Sequence, residues 1–210
     1  MTASGLRRGV VRQFERPSGA LGRVAGWVMA RRASNRERNF WTVSLLDIQP
    51  GDRVLEIGFG PGLAIERAAR LASRGRVVGL DHSEVMWKVA SRRNRGAIEA
   101  GLVELRRADV ADLPIPSVGF DKVFTVNCMM FWPDPVAALR RLREVMRPGG
   151  TLAVTHQPRN AGASEADVER AAREIQALFE QADLEPWRSE RLALEPVDAL
   201  CELARRPSSP

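Results

Sequence analysis

The stretch Val54-Leu55-Glu56-Ile57-Gly58-Phe59-Gly60-Pro61-Gly62 constrains this chain more than any other. An apolar run holding one acid breaks into three alternate glycines, the pattern of a buried strand, a tight turn and a helix. Glycine serves such a turn in two ways: it reaches positive φ, and without a Cβ it lets another molecule lie against the backbone. In open α/β sheets ligands bind beyond the carboxyl ends of the strands, and this turn falls at such an end. A dinucleotide fingerprint, G-x-G-x-x-G, would put its third glycine at position 63, which is Leu63. That spacing argues against a nicotinamide-dependent oxidoreductase. Taken alone, the glycines also fit a strand-to-helix turn that binds nothing.

From Asp52 onward the strand, turn, helix rhythm repeats. Strands are expected over 54–57, 76–80 (ending in Asp81), 103–106 (followed by Ala108-Asp109-Val110), 120–126 (ending in Asn127) and 151–155 (ending near His156). Helices are expected over 63–72, from a Ser83 cap to about Asn94, over 135–146 with a stop at Pro148-Gly149-Gly150, and from a Ser164 cap to about Ala182. A strand pair over 191–194 and 199–204, around Pro196, closes the chain. Alternating βα units of this kind imply an α/β fold with a doubly wound, mostly parallel seven-stranded sheet and a C-terminal antiparallel pair. The whole chain, 1–210, reads as one domain: a basic arm and helical lid over 1–40, then a ligand-binding core over 41–206. Ser34, with Glu37 three residues on, reads as a capping box opening a helix that runs to Pro50-Gly51, with Phe40, Trp41, Val43, Leu45 and Leu46 as its apolar face.

The formal charge of +6 is concentrated before Phe40, where nine arginines face only Glu15 and Glu37. Such an arm can attract nucleic acid, anionic lipid or an acidic substrate, or it can be a solvated surface. The apolar run after Leu21 ends in Arg31-Arg32 without a cleavage site, so it reads as a lid helix rather than a secretion signal. No stretch approaches the length needed to span a membrane. The two cysteines, Cys128 and Cys201, read as buried free thiols of a reducing, cytoplasmic compartment. With His82 and His156 the only histidines, no metal cluster is expected.

The order Glu56-x-Gly58-x-Gly60-x-Gly62, Asp81, Asp109, Asn127 and Arg147-Pro148-Gly149-Gly150, each at a strand boundary, resembles the class I S-adenosylmethionine (SAM) methyltransferases over roughly residues 40 to 156. The resemblance implies a Rossmann-like fold, SAM as cofactor and S-adenosylhomocysteine as product. It also implies binding roles. Glu56, Gly58, Phe59, Gly60 and Gly62 would hold the amino-acid part, Asp81 the ribose hydroxyls, Asp109 and Val110 the adenine, and Asn127 and Cys128 the methionine moiety. Val78-Gly79-Leu80-Asp81-His82-Ser83-Glu84-Val85-Met86 is similar to the small-molecule branch that includes ubiquinone- and menaquinone-type enzymes. By that likeness His82 and Met86 pack on adenine or ribose, and Trp87 packs inward.

Methyl transfer from a sulfonium is an in-line displacement in which positioning does much of the work. After Asn127 the chain reads Cys128-Met129-Met130-Phe131-Trp132-Pro133, not the Asn-Pro-Pro-Tyr-like run of amide or nucleobase N-methyltransferases. That departure argues against nucleic acid as substrate and for a small acceptor in an apolar pocket of Met130, Phe131 and Trp132, with Met129 in the core. His156 is the candidate catalytic base, since an unshifted imidazole titrates near neutrality; the alternative is that it only caps the strand over 151–155 and contacts water. The arm before Phe40 is expected to fold over the pocket, and a homodimer could complete it. The rival readings are an RNA- or protein-directed methyltransferase and a non-catalytic SAM-binding subunit.

Overall fold

The computed structural model describes residues 33–160 and 162–208. Most of the arginine-rich arm therefore lies outside the described residues, and with it the arm's expected closure over the pocket.

Seven strands form one sheet: β1 Arg53–Ile57, β2 Arg76–Asp81, β3 Val103–Arg107, β4 Phe120–Val126, β5 Met146–His156, β6 Glu185–Leu192 and β7 Ala199–Arg205. Their spatial order is β3-β2-β1-β4-β5-β7-β6. The first five run parallel, and β7 joins β5 and β6 antiparallel. The order reverses between β1 and β4, so the carboxyl ends of those two strands flank the crevice where doubly wound sheets take ligands.

Helices cover both faces. On one lie α1 Ala33–Leu45, α2 Leu63–Leu71 and α3 Glu84–Arg93, and the short α4 Arg95–Glu99 follows α3. Val43, Ala64, Ile65, Ala68 and Ala90 pack there on Val54, Val77, Phe124 and Ala153. On the other lie α5 Pro135–Val145 and α6 Glu165–Gln181, whose Leu139, Leu142, Ile175 and Phe179 pack on Leu55, Val78, Val123 and Val154. Side chains two apart on a strand share a face, which is why each strand divides its apolar residues between two cores.

The caps behave as their chemistry dictates. Ser83 precedes α3 and accepts from the Met86 N–H. Asp134 accepts from the Ala137 N–H ahead of α5, and Ser164 with Asp167 forms a capping box on α6.

Four boundaries differ from expectation. Ser34 lies inside α1 rather than capping it, and α1 ends at Leu45, before Asp47 turns to φ 48°. The buried face of α1 is mostly polar: Arg38, Asn39 and Thr42 alongside Val43. The segment Arg147-Pro148-Gly149-Gly150 does not merely stop α5. It belongs to β5 at a register shift, with Gly149 and Gly150 bonded to Arg206. β6 begins at Glu185, earlier than 191, because this exposed edge strand carries no apolar alternation.

Candidate active site at the carboxyl ends of the strands

All three glycines of the turn have positive φ: 73° at Gly58, 51° at Gly60 and 76° at Gly62. Their surroundings differ. A Cβ on Gly58 would lie 2.4 Å from Cys128 Sγ, so glycine there lets the β4 loop close against the turn. A Cβ on Gly62 would strike Ala90 and Asn94 of the α3 side, so that glycine serves helix packing. A Cβ on Gly60 would meet nothing within 4 Å. The Phe59 ring is buried among core residues, which leaves its backbone for a ligand.

Two acids meet at the turn. Asp81, at the end of β2, accepts from the Gly60 N–H at 2.9 Å and from the Ser83 N–H at 2.8 Å. Burial raises its pKa, against the pull of those two N–H groups. Glu56 is 1% exposed, and burial first, then Asp81, push its pKa well above the ordinary carboxylate range. Its Oε2 is buried with no hydrogen-bond partner among the described residues. A buried, half-satisfied carboxylate is costly, and a cation beside it would offset that cost.

Beyond Asp81, His82 is exposed and Met86 is 2% exposed. Trp87, expected to pack inward, is instead 36% exposed, with its indole N–H donating to the Leu105 carbonyl. Asp109 is exposed and accepts from the Ala111 N–H, while Val110 packs into the core.

After β4, Asn127 adopts φ 51° and its N–H donates to the Thr155 carbonyl. Asparagine is one of the few non-glycine residues that enter this region, and such positions collect at functional sites. Cys128 is half-buried, whereas Cys201 is fully buried as expected. Desolvation, then Asp81, pushes the Cys128 thiol up to about 12, so it stays protonated. A cavity of about 230 Å³ opens between this loop, the end of β5 and α6. Asn127, Cys128, Met129, Met130, Trp132 and His156 line one side of it, with Ala171, Glu174, Ile175 and Leu178 opposite. Met129, expected only in the core, therefore also lines the cavity. Phe131 does not, and it is 41% exposed. His156 does not titrate near neutrality. Burial, and secondarily the Arg38 charge, lower it to about 4.

One group of residues escaped the sequence reading. Arg38 on α1 is 1% exposed and has no carboxylate partner among the described residues. It donates to the side-chain oxygens of Gln157 and Asn35, and its Nε is buried without a partner. Gln157, also 1% exposed, donates its backbone N–H to Asn127 Oδ1 and its side-chain amide to the carbonyls of Glu195 and Val197. Four chain segments, its own included, thus meet at this one residue. Arginine at a helix position carries no local signal of such a contact, so nothing in the sequence could have found it.

Residues 55–154 match the family described as a methyltransferase domain. The methyltransferase YdaC of Bacillus subtilis is 32% identical over 186 residues, which span 89% of this chain and 99% of that protein. This chain belongs to the class I SAM-dependent methyltransferases. A 2-phytyl-1,4-naphtoquinone methyltransferase of Synechococcus elongatus is 32% identical over 66% of this methyltransferase, which spans 55% of that protein's length. Among solved structures, the N-methyltransferase NodS of Bradyrhizobium japonicum, in complex with S-adenosylhomocysteine, superposes with TM-score 0.69 at 17% identity. That match covers 93% of this chain and 96% of NodS and shows a shared fold. No helix among the described residues is long and apolar enough to cross a membrane.

Proposed function

We propose that this methyltransferase transfers the methyl group of SAM to a small, partly apolar acceptor seated in the cavity over β4 and β5. The observation that carries this reading is the cavity itself, a mostly apolar cleft that also holds His156 and Glu174, adjoining the Asn127–Cys128 turn that abuts Gly58. The relatives named as naphthoquinone and menaquinone methyltransferases support an acceptor of mixed polarity.

The residues present suit the cofactor. Glu56 and Arg38 are a buried carboxylate and a buried guanidinium, each with an unpartnered polar atom. They would hold the ammonium and carboxylate of the amino-acid part. Asp81, aimed at the turn by Gly60 and Ser83, would accept the ribose hydroxyls. His82, Met86, Asp109 and Val110 would border the adenine, Gly60 would give the backbone's closest approach, and Asn127 and Cys128 would close over the methionine part. When bound, SAM supplies a methyl group activated by its sulfonium.

On the acceptor side, Met130 and Trp132 would orient the substrate together with Met129. His156 is neutral at pH 7 and a weak base. It takes a proton only from an atom that becomes strongly acidic as the new bond forms. That chemistry suits a hydroxyl oxygen or an activated carbon and not an amine, whose methylated form is a much weaker acid. The Cys128 thiol supplies no nucleophile or base.

Methyl-labelled SAM offered with a panel of hydroxylated, apolar ring compounds tests the reading. Label should enter a small acceptor, and His156→Gln should cut turnover at least tenfold while leaving S-adenosylhomocysteine affinity unchanged. Transfer only to polynucleotide or protein would overturn the acceptor class, and unchanged turnover would remove His156 from the chemistry.

A further inference from the structure

A second pocket lies on one face of the sheet, against β1, β2 and β3. Arg53 opens β1, Arg76 opens β2, and Glu104 and Arg106 lie on β3. Strand alternation puts all four on the sheet face that also carries Leu55, Val78 and Leu80. Register brings them together: Arg53 neighbours Arg76, and Glu104 neighbours Val78. The crossover from β3 to β4 contains no α-helix, only the single turn Val110–Asp112 and irregular chain. This corner of the face is left as a cavity of about 240 Å³, with Leu113 and Phe120 among its apolar walls.

Its charge is unbalanced. Glu104 is shared by Arg76 and Arg106, each at 2.6 Å. Asp121 accepts from the Arg53 backbone N–H and pairs with Arg147. The Arg53 guanidinium has no ion-pair or hydrogen-bond partner among the described residues. Its Nε is buried without one, and the group lies 5.6 Å from the Phe120 ring centroid. Three guanidinium groups therefore line a cavity that holds a single carboxylate. Arg76 and Arg106 share the one carboxylate and Arg53 has none, so the pocket keeps an excess of positive charge that a multiply charged anion would balance.

We propose that this pocket binds a small phosphate-bearing ligand. Guanidinium forks match phosphate oxygens in pairs, and Phe120 and Leu113 offer an apolar wall to whatever carries the phosphate. Arg53 is separated from the cofactor turn by the length of β1, on the order of 15 Å at 3.3 Å per residue, while Arg106 lies three residues before Asp109.

The test is calorimetric titration of the full chain at constant ionic strength with inorganic phosphate, pyrophosphate and a nucleoside monophosphate. The inorganic and nucleotide arms separate a free phosphate from a phosphorylated carrier. Saturable binding of at least one probe is expected, undisturbed by saturating S-adenosylhomocysteine and weakened at least tenfold in Arg53→Gln/Arg106→Gln. Circular dichroism melts establish that the variant is folded. Arg76→Gln, on a half-exposed side chain, serves as a second variant with the same expected loss. The proposal is overturned by the absence of saturable binding, by binding that persists in both variants, or by displacement with S-adenosylhomocysteine.

Discussion

The backbone N–H of Gln157 donates to the side-chain oxygen of Asn127 at 2.8 Å. That bond ties the end of β5 to the turn after β4 and holds Asn127 in the left-handed region. Asparagine tolerates that region; a β-branched residue does not. Asn127→Val should lose both the bond and the conformation, at a cost of about 2–4 kcal/mol in denaturant unfolding. Asn127→Gly loses only the bond and should cost less. Equal stability of the two variants would show that the turn is not strained.

The glycines of the turn separate structure from binding. Gly58→Ala meets Cys128 Sγ and should destabilise the fold by about 1–3 kcal/mol, part of which Cys128→Gly in the same chain should restore. Gly60→Ala meets nothing, so it should cost stability only through its φ of 51°, about 1 kcal/mol. If a ligand lies against that backbone, the same methyl should weaken S-adenosylhomocysteine far more than it weakens the fold. Equal, small effects on both would assign Gly60 to the turn alone.

Much of this was legible in local chemistry. The turn, Asp81, the Ser83 and Ser164 caps and the bounds of β4 all follow from signals a few residues long, each read against the strand and helix periods. What was missed depends on distant partners. Arg38 meets Gln157 across 119 positions, and the Pro148-Gly149 pair reads as a helix stop until Arg206 is placed beside it. The edge strand β6 carries charged residues where alternation was sought. The pKa of His156 is set by burial and by α1, neither visible in the residues around it.

His156 makes stability pH-dependent with a definite sign. Its folded pKa of about 4 lies below the ordinary 6.5, so its contribution is fully present above 6.5 and is lost as pH falls toward 4. A shift of that size corresponds to about 3 kcal/mol at 1.4 kcal/mol per unit. Urea unfolding of the wild type and His156→Gln, near neutrality and near the lower end of that window, should show the difference between them change by a large part of that amount. A pH-independent difference would contradict the burial of the imidazole.

Glu56 carries the opposite sign. Its raised pKa means that the unliganded protein loses stability as pH climbs from the ordinary carboxylate value through the raised one. Glu56→Gln should abolish that fall, leave the unliganded melting temperature at or above the wild-type value in mild alkali, and weaken S-adenosylhomocysteine at least tenfold. A variant that binds as tightly as wild type would remove Glu56 from the cofactor's ammonium.

Calorimetric titration with S-adenosylhomocysteine, on the wild type, Asp81→Ala and Gly60→Ala, tests most directly whether the carboxyl ends of β1 and β2 form the cofactor site. Saturable one-to-one binding that both substitutions weaken at least tenfold, in proteins that still melt cooperatively, is the result expected. Wild-type affinity in both folded variants would place the cofactor elsewhere and contradict the account.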